Sequence, residues 1–347
     1  MEDDAARVGT STWTSATWSA EDFRGRLQAF LTAALGEPDR VDVVAVRPWS
    51  AVWRVWTGGR SAYAKQNCPG QAHEARLMAR LARVTPDRVV PVLAADPEQD
   101  LLLTVDLGPT LHARGDDAEV SVWERIAGDA AALQRRLVGE VEDLGLAVLA
   151  PADATTYVAD AVGRLAALDP SDPRRLAPET AVLLEALLPT IERWSDEVEA
   201  LDLPLTLLHN DLHAENVVLG GDGALRFFDF ADALIGHPLA GLHVPLAMAA
   251  RSLGPAADTA TLWRIADAAL EVWSDVADVA DLRSALPAAL QLGRLARVES
   301  WRRCVATMTA AERAEFGSAP AVRLAALLDP PPLEPGGAPS SGTTLRS

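Results

Sequence analysis

Lysine is almost missing from this chain. Of its 31 basic residues, 30 are arginine and only Lys65 is lysine. So uniform a preference points to coding bias rather than selection at each site, which makes the one exception informative. Cysteine is scarce as well. Cys68 and Cys304 are the only two in 347 residues, too few and too far apart for a disulfide framework. No apolar run approaches the ~20 residues that cross a bilayer. The opening Met1-Glu-Asp-Asp has no apolar stretch of the kind a secretory signal needs, so a cytoplasmic protein is expected. Positive charge is in deficit: the net charge is −18 and the pI about 4.7. Such a field repels nucleic acid and anionic membranes, and neither is expected as a partner. It attracts cations, which suits either a polycationic substrate or a surface that simply stays soluble.

What is present is ordinary for a globular protein, with 49% apolar and 23% charged residues. The length allows one large domain or two lobes with real cores. Residues 1–19 are polar and expected to be loose. A helix is predicted from Ala20 to Leu35, where Phe23, Leu27, Phe30 and Leu31 recur at helical spacing. Strands are predicted at Val41–Arg47, Ala51–Thr57 and Ser61–Gln66, the last two joined by a tight turn at Gly58-Gly59. Trp53 and Trp56 are three apart, so both cannot face inward on one strand. A helix follows at Gln71–Arg83, then a strand pair at Val89–Ala94 and Leu101–Val105. Leu107-Gly108-Pro109 is a natural break. Beyond it, helices are predicted near 118–138, 152–168, 178–200, 239–253, 257–275, 279–306 and 309–328. One strand-like island, Leu205–Phe230, interrupts them. The tail from Pro330 is rich in Pro, Gly and Ser and reads as disordered. Four segments result: a loose start (1–19), a small sheet-and-helix lobe (20–107), a helical lobe (108–329) and a disordered tail (330–347).

The most specific stretch is His209-Asn210-Asp211-Leu212-His213-Ala214-Glu215-Asn216, followed by Phe227-Phe228-Asp229-Phe230. Phosphoryl transfer needs metal ions on the phosphates, an acceptor for the hydroxyl proton, and in-line positioning. A carboxylate followed five residues later by a carboxamide supplies a base and a metal ligand from one loop. A second carboxylate near the next strand supplies another metal contact. Asp211, Asn216 and Asp229 have these types and spacings, and their hard oxygens suit Mg²⁺. Lys65 lies on a strand early in the chain, and a helix with one glutamate follows it. Kinases hold ATP phosphates in that way.

These motifs resemble the aminoglycoside phosphotransferase and choline kinase family, whose fold is similar to that of protein kinases. The resemblance covers about residues 41–330 in element order. It implies an α+β, bilobal protein-kinase-like fold with an antiparallel-sheet first lobe and a mainly helical second. It implies Asp211 as catalytic base, Asn216 and Asp229 as Mg²⁺ ligands, and Lys65 on the ATP phosphates. Glu74, the only carboxylate between Lys65 and Asp87, would pair with Lys65. Thr104, Val105 and Leu107 would offer backbone groups to adenine, with GTP an alternative to ATP. His209 and His213 would brace the loop. The acceptor would be a hydroxyl of a small molecule: an aminoglycoside or other cationic antibiotic, as in antibiotic resistance, or a sugar, an amino alcohol or another metabolite. A nucleotide-binding regulatory pseudokinase is the remaining alternative. A monomer or homodimer is expected.

The sequence departs from the family in three places. No Gly-x-Gly-x-x-Gly loop is present; Pro48-Trp49-Ser50-Ala51 stands there, with Ser50 or its N–H toward phosphate. Asn210 replaces the usual Gly. His237 and Gly241 replace acidic positions after Asp229, where Asp232 is expected as a solvated turn residue, with a substrate contact the alternative. His209-x-Asp211-x-His213 on a strand would also suit Zn²⁺, but that leaves Asn216 and Asp229 unexplained. Arg294, Arg297, Arg302 and Arg303 are expected on a solvated helix face, with contact to an anionic substrate the alternative.

Overall fold

Alternating burial along consecutive strands sets the layout of the first lobe. In this computed structural model, which describes residues 13–333, α1 (Glu21–Leu35) precedes β1 (Arg40–Val46), β2 (Ser50–Thr57) and β3 (Arg60–Asn67). After α2 (Glu74–Val84) come β4 (Val92–Asp96) and β5 (Leu101–Val105). The five strands form one antiparallel sheet in the order β1-β2-β3-β5-β4. Successive strand residues point to opposite faces. Trp53 and Val55 of β2 and Ala62 and Ala64 of β3 share an apolar cluster with Phe23, Leu27 and Leu31 of α1. The residues between them, Val52, Tyr63 and Lys65, face a cleft on the other side. Trp53 is buried and Trp56 half-buried, as their spacing demands.

Two stretches of this lobe differ from expectation. Residues 1–12 of the segment expected to be loose lie outside the described residues. Ser15–Ser19, however, form a 3₁₀ turn in which Trp18 is buried and donates its indole N–H to Gln66 Oε1 at 2.8 Å. An indole has too much apolar area to leave in water when a pocket is at hand. The fourth strand starts at Val92, because Pro91 has no N–H to give a sheet. Val90 instead donates its N–H to the Phe227 carbonyl (3.1 Å), and Phe227 donates to Arg88 (2.9 Å). The chain here stitches the two lobes together just before Asp229.

The second lobe carries α3 (Leu111–Arg114), α4 (Val120–Arg136), α5 (Ala154–Ala166), α6 (Pro178–Glu199), α7 (His243–Leu253), α8 (Thr259–Leu270), α9 (Val279–Ala306), α10 (Ala310–Phe316) and α11 (Ala319–Ala325). Its inset strands are β6 (Val148–Leu149), β7 (Thr206–Leu208), β8 (Val217–Leu219), β9 (Leu225–Phe227) and β10 (Leu234–Gly236). They form a small sheet, β6-β10-β7, and the hairpin β8-β9. The strand island therefore runs on to Gly236. The single helix expected over 309–328 is broken at Gly317-Ser318, where Pro320 enters the first turn of α11.

The central helix α9 is buried around most of its circumference. Its arginines are consequently not the solvated face expected of them. Arg294 donates to the carbonyls of Asp329 (3.1 Å) and Pro330 (2.8 Å), and Arg303 to that of Asp232 (3.1 Å). Arg302 is half-exposed and paired with Glu299. A buried guanidinium is tolerated where its donors find acceptors. Leu333 is also buried, so the start of the expected disordered tail is held in place; residues 334–347 lie outside the described residues. Among the described residues, no helix is long and apolar enough to cross a membrane.

Buried histidines make stability depend on pH. Burial lowers His73 and His243 to about 3 and His237 to about 4, with the Arg303 charge assisting at His73 and Arg294 at His243. Burial also lowers His209. Each is neutral when folded and takes a proton on unfolding below about pH 6.5. Stability is therefore full above that value and falls with pH toward the folded pKa values, by about 1.4 kcal/mol per pH unit for each such group. The urea midpoint should drop markedly between pH 7.5 and 5.5; an unchanged midpoint refutes this account.

Candidate active site

Lys65 lies between two carboxylates. Its Nζ is 2.6 Å from Glu74 Oε2 and 2.6 Å from Asp229 Oδ1. Burial alone would lower the pKa of Lys65; the charges of Asp229 and Glu74 outweigh it and hold the ammonium protonated above the usual lysine range. Glu74, 1% exposed, is pushed up by burial and opposed by Lys65. Three further contacts fix it. Asn67 Nδ2 donates to its Oε2 (2.8 Å), and the Phe230 backbone N–H donates to Oε1 (2.8 Å). The third is indirect. Asp100 accepts from Asn67 Nδ2 (3.0 Å) and from the Ala75 N–H (2.9 Å), which caps the first turn of α2 just where Glu74 sits.

Sequence reasoning missed Asp100. It lies in the expected polar turn Asp96–Asp100, and its positive φ of 50° is the one unusual feature there. Only the fold reveals that its carboxylate turns inward.

The loop after β7 is held with equal care. Asn210, at φ 62°, occupies the left-handed region that explains why a glycine is usual there. Its amide donates to the Ala296 carbonyl of α9 (2.8 Å), a contact glycine could not make. His209 Nε2 lies 2.9 Å from the Phe228 carbonyl, bracing the loop against the segment that carries Asp229. Asp211 has Arg297 Nη1 at 3.0 Å and His213 Nε2 at 3.5 Å. Burial pushes its carboxyl up, but Arg297 and then His213 outweigh burial and hold it well below the usual carboxylate range. Asn216 donates to the Asp211 carbonyl (2.8 Å), and its own carbonyl accepts from Phe228 N–H (3.2 Å). Asp229 follows at φ 63°, strained backbone of the kind that persists where surroundings enforce it.

The remaining expected residues fall at three cavities. A cleft of about 290 Å³ between the lobes is lined by Lys65, Glu74, Thr104, Val105, Leu107 and Asp229, among others. The Val105 N–H is already bonded to Pro91 O (3.0 Å), Asp106 N–H to Ser61 O (3.4 Å) and Gly108 N–H to Asp106 Oδ1 (2.9 Å). Ser50 lies apart, in an adjoining cavity of about 130 Å³ shared with Lys65, Asp211 and Asp229. A third cavity of about 650 Å³ opens from Asp211 into the helical lobe. Asp232 is no solvated turn residue: Arg297 reaches it at 2.7 Å, and Gln71 and Ser300 donate to it. His237 is buried with neither ring nitrogen bonded among the described residues. Among those residues, no three His, Cys, Asp or Glu side chains gather as a metal cluster. His209 faces a carbonyl rather than a Zn²⁺ site.

This geometry accords with comparison to known proteins. A model of the phosphotransferase enzyme family (APH) matches residues 43–280. The chain belongs to that family. This phosphotransferase is thus an enzyme of the small-molecule kinase class, whose members phosphorylate hydroxyl groups. Solved structures share its bilobal, protein-kinase-like fold. An ethanolamine kinase of Plasmodium vivax superposes with a TM-score of 0.62 at 12% identity, over 91% of each chain. A mutant aminoglycoside 2′-phosphotransferase-IIIa in complex with GDP gives 0.57 at 12% identity, covering 86% of this chain and 95% of that one. A macrolide 2′-phosphotransferase of Brachybacterium faecium gives 0.50 at 17%, covering 88% and 98%. No curated protein matches the sequence.

Lys65→Arg tests how tightly the cleft is built. A guanidinium is wider and planar, and does not fit between two carboxylates that each approach one nitrogen at 2.6 Å. Misplacing a catalytic contact by about 1 Å lowers turnover on the order of 10²-fold. Steady-state kinetics with saturating nucleotide check this; normal turnover would mean that the lone lysine is an accident of codon usage.

Proposed function

We propose that the protein is an ATP- and Mg²⁺-dependent kinase that transfers the γ-phosphoryl group to a hydroxyl of a small molecule. The observation that carries this reading is the Glu74–Lys65–Asp229 bridge, with both contacts at 2.6 Å, at the floor of the cleft between the lobes. The apolar walls of that cleft, such as Met78 and Leu102, suit a base, and Lys65 suits the phosphates. Asp229 lines that cleft, and Asn216, bonded to the neighbouring Phe228, would supply a second hard oxygen donor. That fits Mg²⁺, which is commonly held by one or two protein groups plus phosphates and water. When bound there, Mg²⁺ would neutralise charge on the phosphates.

In this reading the acceptor lies in the cavity of about 650 Å³ that reaches Asp211. Its hydroxyl oxygen forms the new bond to the γ-phosphorus as the bond to the ADP oxygen breaks. The hydroxyl proton passes to Asp211. A carboxylate held below its usual range is a weak base, so Asp211 serves first to orient the hydroxyl. That is sufficient for a loose transition state, in which the proton leaves late. His213 and Arg297 hold the carboxylate in place for that task.

The test is a nucleotide-consumption screen with ATP and GTP, each with and without Mg²⁺. The acceptors are aminoglycosides, macrolides, choline, ethanolamine and sugars, which cover both the cationic antibiotics and the metabolites. Mg²⁺-dependent turnover with at least one acceptor is expected. Tight nucleotide binding without any turnover would instead support a regulatory module.

A further inference from the structure

The cavity next to Asp211 has charges that the net charge of −18 does not suggest. Three arginines from three helices line it: Arg251 of α7, Arg297 of α9 and Arg323 of α11. Arg297 is neutralised, since it holds Asp211 at 3.0 Å and Asp232 at 2.7 Å. Arg251 and Arg323 have neither a hydrogen bond nor an ion pair among the described residues. His243 stands on the same wall, and its Nδ1 is buried without a partner. Burial and the Arg297 charge lower the pKa of Arg323, a penalty that a bound anion would relieve.

Acidic groups are present too, Asp117 beside α7 itself, but they are mostly engaged. Asp117 accepts from Ser252 Oγ (2.9 Å) and faces His112 Nδ1 (2.9 Å). Glu215 lies 3.6 Å from His112 Nε2. Arg251 and Arg323 therefore line the cavity with no carboxylate among the described residues in direct contact, although the charge of Asp211 acts on Arg323. Guanidinium pairs well with carboxylate or phosphate, in two-pronged geometry. The acidic field of the rest of the surface is screened within about 8 Å at physiological salt, so the local arginines govern what binds here.

We propose that the acceptor carries an anionic group, a carboxylate or a phosphate, which Arg251 and Arg323 hold while its hydroxyl meets Asp211. This rests on the kinase reading above. It selects hydroxy acids and phosphorylated alcohols over the cationic antibiotics that the overall charge favours.

The test measures binding first. With the nucleotide cleft filled by saturating ADP, calorimetry follows malonate, inorganic phosphate and choline on the full chain and on the double variant Arg251→Gln/Arg323→Gln. The wild type should bind malonate or phosphate, and the double variant should lose at least tenfold in that affinity, with choline bound by neither. The stronger of the two anions tells carboxylate from phosphate. Equal anion binding by both proteins, or none by the wild type, overturns the proposal. A matched turnover series follows: glycerate and glycerol 3-phosphate against glycerol, and gluconate against sorbitol. An anionic member should be preferred at least tenfold in kcat/KM, and the preference should collapse in the double variant. If neutral or cationic acceptors turn over better, the anion site falls and the kinase reading stands. If ADP itself does not bind, the kinase reading falls.

Discussion

Replacing Asp211 by asparagine should lower kcat by about 10²–10⁴-fold while nucleotide affinity stays within a few fold. The side chain keeps its shape but can no longer take a proton, and it orients the hydroxyl with a neutral oxygen. Folding should survive, because Arg297 keeps its shorter contact to Asp232 at 2.7 Å and its bond to the Asn210 carbonyl at 2.8 Å. The pH profile sharpens the test. Arg297 and His213 hold Asp211 ionised well below the usual range, so loss of its charge should give no acid limb in kcat above about pH 4. An unchanged kcat would remove Asp211 from the reaction. A parallel loss of nucleotide binding would mean that the variant damages the cleft instead.

Glu74→Ala should cost about 3–5 kcal/mol of stability, the range for breaking a buried ion pair. The substitution removes one of the two counter-charges of Lys65. It also strips acceptors from the Asn67 amide and the Phe230 N–H, both in the buried seam between α2 and the Asp229 segment. Glu74→Gln separates these effects in part: its one oxygen still accepts from the Phe230 N–H, while the charge and the acceptor toward Lys65 and Asn67 are lost. Chemical denaturation should place Gln between wild type and Ala. If Ala unfolds no more easily than wild type, Glu74 is a spectator and the bridge is incidental.

The order of elements was readable because local signals carry it: paired glycines at the β2–β3 turn, helical spacing in α1, and the run from His209 to Asn216. Half of the bridge was readable, because Lys65 is unique and Glu74 has no competitor nearby; the contact of Lys65 with Asp229 was not. Other features escaped for a common reason. A guanidinium in α9 looks the same in sequence whether water or the Asp232 carboxylate surrounds it. Asp100 and Asp232 look like turn residues until distant chain supplies their partners. The short strands at Val148 and Leu234 exist only because they pair with each other, and the second of them with β7. The expected strand ran from Val89 through Pro91, a residue that cannot give an N–H to a sheet, and nothing local showed that Val90 would cross to Phe227.

The single lysine has a use that follows from where it sits. Labelled with ¹⁵N at the side-chain nitrogen of lysine, the protein would give one ammonium signal, with no assignment to make. That signal comes from an atom 2.6 Å from both Glu74 and Asp229. Its exchange with water and its chemical shift would follow nucleotide, metal and acceptor in turn, so this chain carries a built-in spectroscopic probe at the floor of its cleft.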